Sequence, residues 1–218
     1  AGSWGNIVVG TDVSAAIAAC DVLVDFTRPV GTLEHVRACT SAKRAIVIGT
    51  TGFTPSQVEE IRRAAASIAI VMAPNMSVGV NVMLKLVELG SRALGDEYDV
   101  EVFEMHHRKK VDAPSGTALK LGEVAAAARG ADLGEVGVFD RHGATGERRH
   151  GSMGFSVARG GDIVGDHTVF FAGTGERIEI THRSTSRGTY AQGAMRAARF
   201  LAAKPPGFYD MQDVLGLR

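Results

Sequence analysis

Three short apolar runs constrain the fold of the first third of the chain. They are Asp21-Val-Leu-Val-Asp-Phe26, Ala45-Ile-Val-Ile48 and Ile68-Ala-Ile-Val-Met72. Each is bounded by polar or turn residues, as in strands buried in a parallel sheet. The segments between them read as helices. Gly31 to Ser41 follows the break at Thr27-Arg28-Pro29 and turns Leu33, Val36 and Ala38 inward. Thr54-Pro-Ser-Gln57 starts the next helix with a capping box and proline at the first helical position, and that helix runs to about Ala66. Strand, helix, strand, helix, strand predicts a doubly wound α/β sheet. Right-handed crossovers bring the strand ends to one edge, outside which ligands bind. Thr27-Arg28, Gly49-Thr50-Thr51 and Ala73-Pro74-Asn75-Met76 are therefore expected to meet at one cleft.

Ahead of these runs the pattern is weak: Ile7 to Val9 reads as a short strand, and Ser14 to Cys20 as a short helix capped by Asp12 or Ser14. Ser77 to Leu94 carries apolar residues at Val78, Val82, Leu86 and Leu89, with Val80, Met83 and Leu84 also available. It is expected to be a well-buried helix that ends near Gly95 and leads into a second domain. Asn81 on it is either a core hydrogen-bonding residue or part of a site. Tyr98 to Phe103 alternates and predicts a strand with one wet face. Ala118 to Arg129 is the following helix, ended by Gly130. Val136–Phe139, Gly154–Ala158, Thr168–Ala172 and Arg177–Thr181 are short runs separated by glycine-rich turns, which predicts a mostly antiparallel sheet. Tyr190 to Ala203 is a last helix, stopped by Pro205-Pro206.

Composition excludes several classes. The 24 Lys and Arg balance the 24 Asp and Glu, which argues against a general nucleic-acid surface. No apolar run approaches the roughly 20 residues of a membrane helix, and the start has no charged n-region followed by an apolar h-region. Cys20 and Cys39 lack CxxC spacing and read as small apolar residues of a reducing compartment. With His106-His107 adjacent, they form no zinc pattern, and no metal is expected.

One connection carries far more chemistry than a turn requires: Glu104-Met-His-His-Arg-Lys-Lys-Val-Asp-Ala-Pro-Ser-Gly-Thr117. Geometric loops are usually built of Gly, Asn, Asp, Pro and Ser, whereas a loop gathering titratable groups on a scaffold points to a site. His106 or His107 can give or take a proton near neutral pH. Lys110 can donate a proton or hold a carboxylate as a point charge. Ser115, Gly116 and Thr117 stand where a helix would begin, and helix N-termini bind anions. Together these residues suggest a pocket for a small, multiply negative substrate undergoing proton transfer. The bland alternative is a solvated basic turn with a helix cap.

The segment Glu104 to Ala118 resembles the signature of the 4-hydroxy-tetrahydrodipicolinate reductase family. Asp25–Pro29, Gly49–Phe53, Ala73–Asn81, Arg159–His167 and Gly175–His182 resemble further family segments, in family order. The resemblance covers nearly the whole chain from about Asp21. It implies reduction of a cyclic imine dicarboxylate by NADH or NADPH in lysine and diaminopimelate synthesis, in the cytoplasm. It implies His106 as the catalytic acid/base and Lys110 as proton donor, with His107, Lys110, Gly116 and Thr117 on the substrate carboxylates. Gly49, Thr50, Thr51, Ala73, Pro74, Asn75 and Met76 would touch the nicotinamide half of the cofactor, with Phe26 and Arg28 nearby. The family also implies a homotetramer formed through the second domain's sheet, and a domain closure hinged near Ser77 and Arg187. Lys109 stands where the family varies and receives no role.

One departure bears on the cofactor. The family begins with a glycine-rich Gly-x-x-Gly-x-x-Gly turn between a strand and a helix. Gly2, Gly5 and Gly10 lack that context, so the chain reads as starting inside the nucleotide-binding domain. The expected architecture is α/β: an incomplete Rossmann-type dinucleotide-binding domain (residues 1–77 and 187–218) and an α+β substrate and oligomerisation domain (residues 78–186). Two rival functions are a non-catalytic anion-binding fragment, which the missing glycine turn favours, and a different Rossmann-type reductase, which the His-His-x-x-Lys and Ser-Gly-Thr spacing opposes. His167 and His182 read as structural, and His142 and His150 as loop residues.

Overall fold

A computed structural model describes residues 3–4 and 7–218, with side chains from residue 9 onward. Gly2 and Gly5 lie outside the described residues. At the start, β1 (Ser3–Trp4) and β2 (Ile7–Val8) pair antiparallel. Helix α1 (Val13–Ala18) follows, and Asp12 rather than Ser14 caps it, its Oδ1 accepting from the Ala15 N–H at 2.9 Å.

The three apolar runs become β3 (Val22–Asp25), β4 (Ala45–Ile48) and β5 (Ala69–Met72), joined by α2 (Pro29–Ala42) and α3 (Pro55–Ala64). All pair in parallel, in the order β5-β4-β3. The capping box forms as the sequence predicts: Thr54 Oγ1 accepts from the Gln57 N–H, and the Thr54 N–H donates to Gln57 Oε1. Ile17, Leu33, Val36, Cys39, Ile46, Ile48, Ile61 and Ile70 pack as the core around this sheet. Cys20 and Cys39 are free thiols, and burial pushes the Cys39 thiol up to about 12.

The chain divides into two compact units, residues 1–76 with 190–218, and residues 77–189. The second unit opens with α4 (Val78–Leu94), capped by Ser77 and ended at Gly95. Its buried residues are Val80, Asn81, Met83, Val87 and Ser91, whereas Val82, Leu86 and Leu89 are exposed. This corrects the expectation of a helix buried on the Val82-Leu86-Leu89 stripe. The helix packs one face on the unit's own core, and the 80-83-87-91 stripe is the one that reaches it. Strand β6 (Asp99–His106) alternates half-buried and buried residues along its whole length. That period of two places Glu104 and His106 on the same inward face as the core residues Val100 and Val102.

Helix α5 (Gly116–Ala128) starts after the signature loop. The strand expected over 136–139 is cut short. Asp132 caps a single turn, α6 (Leu133–Val136), which leaves only Gly137–Val138 as β7. Then come β8 (Met153–Arg159), β9 (Gly165–Ala172) and β10 (Arg177–Ser184). In the order β10-β9-β6-β8-β7, the two pairs involving β9 are antiparallel, and β8 joins β6 and β7 in parallel. The chain ends with α7 (Gly188–Leu201), β11 (Gly207–Tyr209) and α8 (Met211–Leu215). Strand β11 extends the first sheet beside β5, in parallel, and together with α8 it had no counterpart in the sequence reading. Three residues after a double proline carry too little period to be read as a strand.

Candidate active site

In the second unit, five side chains from four elements meet beneath the signature loop. Glu104 on β6 is 1% exposed. Its Oε1 accepts from the Ser115 N–H at 3.0 Å and from Arg159 Nη2 at 2.8 Å. Its Oε2 accepts from Arg159 Nη1 at 2.8 Å and lies 2.5 Å from His106 Nδ1. Burial alone would push this carboxyl up. The hydrogen bonds from Arg159, His106 and the Ser115 N–H outweigh it and hold Glu104 below the usual carboxylate range.

Ser115 links this group to the helix. It is the N-cap of α5, its Oγ accepting from the Ala118 N–H at 3.1 Å and lying 3.0 Å from His167 Nε2 on β9. The α5 helix thus begins at Gly116 and Thr117, the pair expected to hold a carboxylate, and Gly116 is exposed with open space at its Cβ position. His167 is buried, and desolvation, aided by the neighbouring His106, pushes its imidazole down to about 4. It therefore stays neutral at physiological pH.

The loop itself is held by β8. The Gly160 N–H donates to His106 O at 2.9 Å, and the Arg108 N–H to Gly161 O at 3.3 Å. Gly161 has φ +50°, a left-handed conformation that favours glycine. Arg159 Nη2 also donates to Asp112 O at 2.7 Å, which closes the loop over its own base. Lys110 Nζ donates to both oxygens of Asp112, at 2.7 and 2.8 Å, and this bond holds the Asp112 carboxyl low. The ammonium thus rests on a half-exposed carboxylate. His107 lines an open groove with Arg108, Lys109, Gly161, Asp162 and Arg187, and its Nδ1 is a buried atom without a hydrogen-bond partner.

Of the residues singled out from sequence, His106, Ser115 and Gly116 come together here, with Lys110 and Thr117 on the adjoining loop and helix turn. Three members were given no function there. Glu104 and Arg159 belong to the family-like segments without a role implied for them, and the sequence pattern around His167 points to a structural residue. The signal for Glu104 was available: residues two apart on an alternating strand share a face. Asn81 is a helix hydrogen-bonding residue, its Nδ2 donating to Ser77 O at 2.8 Å. The ring of half-buried His182 occupies the space beside Gly79, and burial lowers its pKa. Among the described residues, no cluster of His, Cys, Asp and Glu is arranged to hold a metal, and no helix is long and apolar enough to cross a membrane.

In the first unit, the loops after β3, β4 and β5 lie at the C-terminal edge of the parallel sheet. The Gly49 N–H donates to Asp25 O at 2.8 Å, and the Ala73 N–H to Ile48 O at 3.2 Å. The Thr50 hydroxyl is taken up internally, accepting from the Thr27 N–H at 2.9 Å and bonded to Thr32 Oγ1 at 3.0 Å. Ala73 and Met76 are buried, while Thr51 and Pro74 are exposed. At Gly49 a Cβ would fall 2.2 Å from the ring of Phe26, so only glycine lets that ring, itself 51% exposed, lie on the loop. This edge thus pairs an exposed aromatic ring with a glycine backbone. The backbone at Thr50, Ala73 and Met76, rather than their side chains, is what this edge offers.

The sequence matches two family models, "Dihydrodipicolinate reductase, N-terminus" over residues 3–76 and "Dihydrodipicolinate reductase, C-terminus" over residues 79–215. Curated relatives include a 4-hydroxy-tetrahydrodipicolinate reductase of Nitrosospira multiformis, 61% identical over 100% of this chain and 81% of its own length. Another is that of Bordetella pertussis, 63% identical over 95% of this chain and 77% of its own. Among solved structures, a dipicolinate-bound dihydrodipicolinate reductase from Paenisporosarcina sp. TG-14 superposes with a TM-score of 0.75 at 26% identity, over 93% of this chain and 77% of that one. With both halves of the family matched and relatives more than half identical along nearly all of its length, the chain belongs to the dihydrodipicolinate reductase family of NAD(P)-dependent oxidoreductases.

Proposed function

We propose that this chain is a 4-hydroxy-tetrahydrodipicolinate reductase acting in lysine and diaminopimelate synthesis in the cytoplasm. Its substrate is the cyclic imine dicarboxylate formed from 4-hydroxy-tetrahydrodipicolinate by loss of water, and its product is tetrahydrodipicolinate. The observation that carries this reading is the joint placement of His106 and the Ser115–Thr117 helix start on one buried carboxylate, Glu104, with Lys110 on the loop between them. Relatives more than half identical bear the reductase name, which adds independent support.

When bound, the nicotinamide supplies the hydride; the protein has to position the substrate and move a proton. His106 serves as acid/base and Lys110 as proton donor. A substrate carboxylate takes the place of Asp112 on the Lys110 ammonium. The helix start at Gly116 and Thr117, with His107, receives the dicarboxylate, since helix N-termini favour negative charge. Gly49, Thr50, Thr51, Ala73, Pro74, Asn75 and Met76 hold the nicotinamide half of NADH or NADPH, with Phe26 beside it. The second unit's sheet builds a homotetramer.

The test is a purified sample mixed with NADH or NADPH and freshly made 4-hydroxy-tetrahydrodipicolinate, with nicotinamide absorbance followed over time. Consumption of reduced nucleotide, inhibited by dipicolinate, is the expected result. Dipicolinate binding without nucleotide oxidation would instead identify an anion-binding fragment. Running the two nucleotides separately sets the preference between them.

A further inference from the structure

The Glu104 carboxylate has no place in the catalytic pattern set out from sequence, yet it is the most completely satisfied charged group around His106. It is 1% exposed, with Arg159 clamping both oxygens and the Ser115 N–H on one. Those three donors fix the carboxylate in place and leave Oε2 free to do one further thing, which is to accept from His106 Nδ1 at 2.5 Å. A carboxylate held this way has only acceptor positions. Whatever the charge on the imidazole, the proton on the Glu104 side therefore belongs to Nδ1.

The opposite side of the ring is shaped differently. Among the described residues no hydrogen bond ties up His106 Nε2. Gly165 at the start of β9 leaves it room: a Cβ there would fall 2.9 Å from Nε2. The groups facing the ring are Glu104 on its own strand, Arg159 from β8 and His167 from β9, edge-on at 5.1 Å between ring centres. Lys110 and Asp112 lie on the loop above, Ser115 at the start of α5, and His182 on β10 beyond His167. His167 is not the orienting group here: His106 Nδ1 meets Glu104, while His167 makes only an edge-on ring contact, its Nε2 on Ser115 Oγ and its Nδ1 a buried atom without a hydrogen-bond partner.

We propose that Glu104 is the positioning residue for His106. Its carboxylate, pinned by Arg159 and the Ser115 N–H, keeps the proton on Nδ1 and makes Nε2 the nitrogen that exchanges protons with substrate. One proton crosses Nε2 in each direction: the N–H bond there breaks as the substrate gains the proton, and the neutral ring regains one from water. None crosses Nδ1, and Glu104 stays ionised throughout. The same carboxylate also accepts from the Ser115 N–H, while the first turn of the following helix keeps its own cap, Ser115 Oγ on the Ala118 N–H. The catalytic consequence rests on the reductase reading; the placement of the proton does not.

Two measurements test this. The first is a long-range 1H–15N NMR spectrum of the whole protein at about pH 8, above the ordinary imidazole range, with His106 assigned by comparison with His106→Gln. A proton on Nδ1 is expected; a ring protonated at Nε2 alone overturns the proposal, whether or not the protein oxidises nicotinamide. The second is a double-mutant cycle of Glu104→Gln and His106→Gln in the reductase assay. Glu104→Gln should lower kcat at least about tenfold, bounded by the roughly 10²–10⁴ expected for losing the acid/base residue itself, with the dipicolinate Kd within about threefold of wild type. The double variant should be no slower than His106→Gln alone. Additive losses, or loss of dipicolinate binding together with kcat, would make Glu104 a structural residue only and overturn the positioning role. If Glu104→Gln does not fold, the wild-type spectrum decides.

Discussion

His167 stands edge-on to His106, ring centres 5.1 Å apart at 77°, and its Nε2 meets Ser115 Oγ at 3.0 Å. His167 is buried, so desolvation is the main cost of charging its ring, and the neighbouring His106 adds to it. The His167 pKa falls to about 4, against 6.5 in an exposed chain. The unfolded state therefore binds the proton more readily. The stability this neutral ring contributes is fully present above about pH 6.5 and is lost as pH falls toward 4, in total on the order of 3 kcal/mol. Burial lowers His182 in the same direction, and the lowered Glu104 carboxyl adds a further loss at lower pH. Thermal melts between about pH 7.5 and 4.5 should show Tm falling as the solution is acidified, and a shallower fall in His167→Gln. Equal slopes would mean that His167 does not titrate with folding.

Lys110 sits on Asp112 with both carboxylate oxygens inside hydrogen-bond reach. In the proposed mechanism it both donates a proton and holds a substrate carboxylate. Lys110→Ala should then lower turnover by more than the roughly 10²–10⁴ ascribed to acid/base loss alone. A loss below about tenfold would remove Lys110 from the chemistry.

The Asp112 partner makes a separate prediction. Substrate has to displace a half-exposed ion pair, and such pairs are worth about 0–1 kcal/mol. Asp112→Asn should therefore lower KM, by no more than about fivefold, and leave kcat close to wild type. A raised KM would mean that Asp112 holds the ammonium in its working position instead of competing for it.

Much of this fold was legible because local rules agreed. At α3 the proline, the Thr54 cap and Gln57 all specify one helix start, and the short apolar runs fit buried parallel strands alone. At α4 they did not agree. Val82, Leu86 and Leu89 form as good a stripe as Val80, Met83 and Val87, and only the tertiary packing decides which one the unit buries. Strand β11 exists because β5 presents an open edge to Gly207–Tyr209, and nothing local announces it. In the candidate site, the titratable letters of the loop were readable from composition. Their support was not, because Arg159 and His167 arrive from β8 and β9, more than fifty residues away in sequence.

Thr54 gives a prediction about the fold that leaves the site alone. Its hydroxyl and backbone N–H are both bonded to Gln57 in the capping box. Thr54→Ala removes the side-chain half, at a cost of about 1 kcal/mol. Tm should drop roughly 2–4 °C for a chain of this size, with kcat unchanged. An unchanged Tm would mean that this helix end frays without consequence.

Gly165 offers the sharpest steric test of His106. A Cβ at this position would lie 2.9 Å from His106 Nε2, 3.3 Å from its Cδ2 and 3.5 Å from His167 Cε1. Neither ring can step aside freely. His106 is tied through Nδ1 to a carboxylate that Arg159 holds, and His167 is tied to Ser115. Gly165 itself pairs with Ser184 at the start of β9, so the backbone is also restrained. Gly165→Ala should therefore cost about 1–3 kcal/mol of stability through overpacking. Because the crowded atom is the one proposed to carry the proton, turnover should fall by about 10²-fold, the effect of moving a reacting group by roughly an ångström. Dipicolinate binding, proposed for the Gly116–Thr117 helix start, should survive, since that element keeps its own cap at Ser115. Wild-type turnover in a folded Gly165→Ala variant would place the proton transfer on a group other than His106 Nε2.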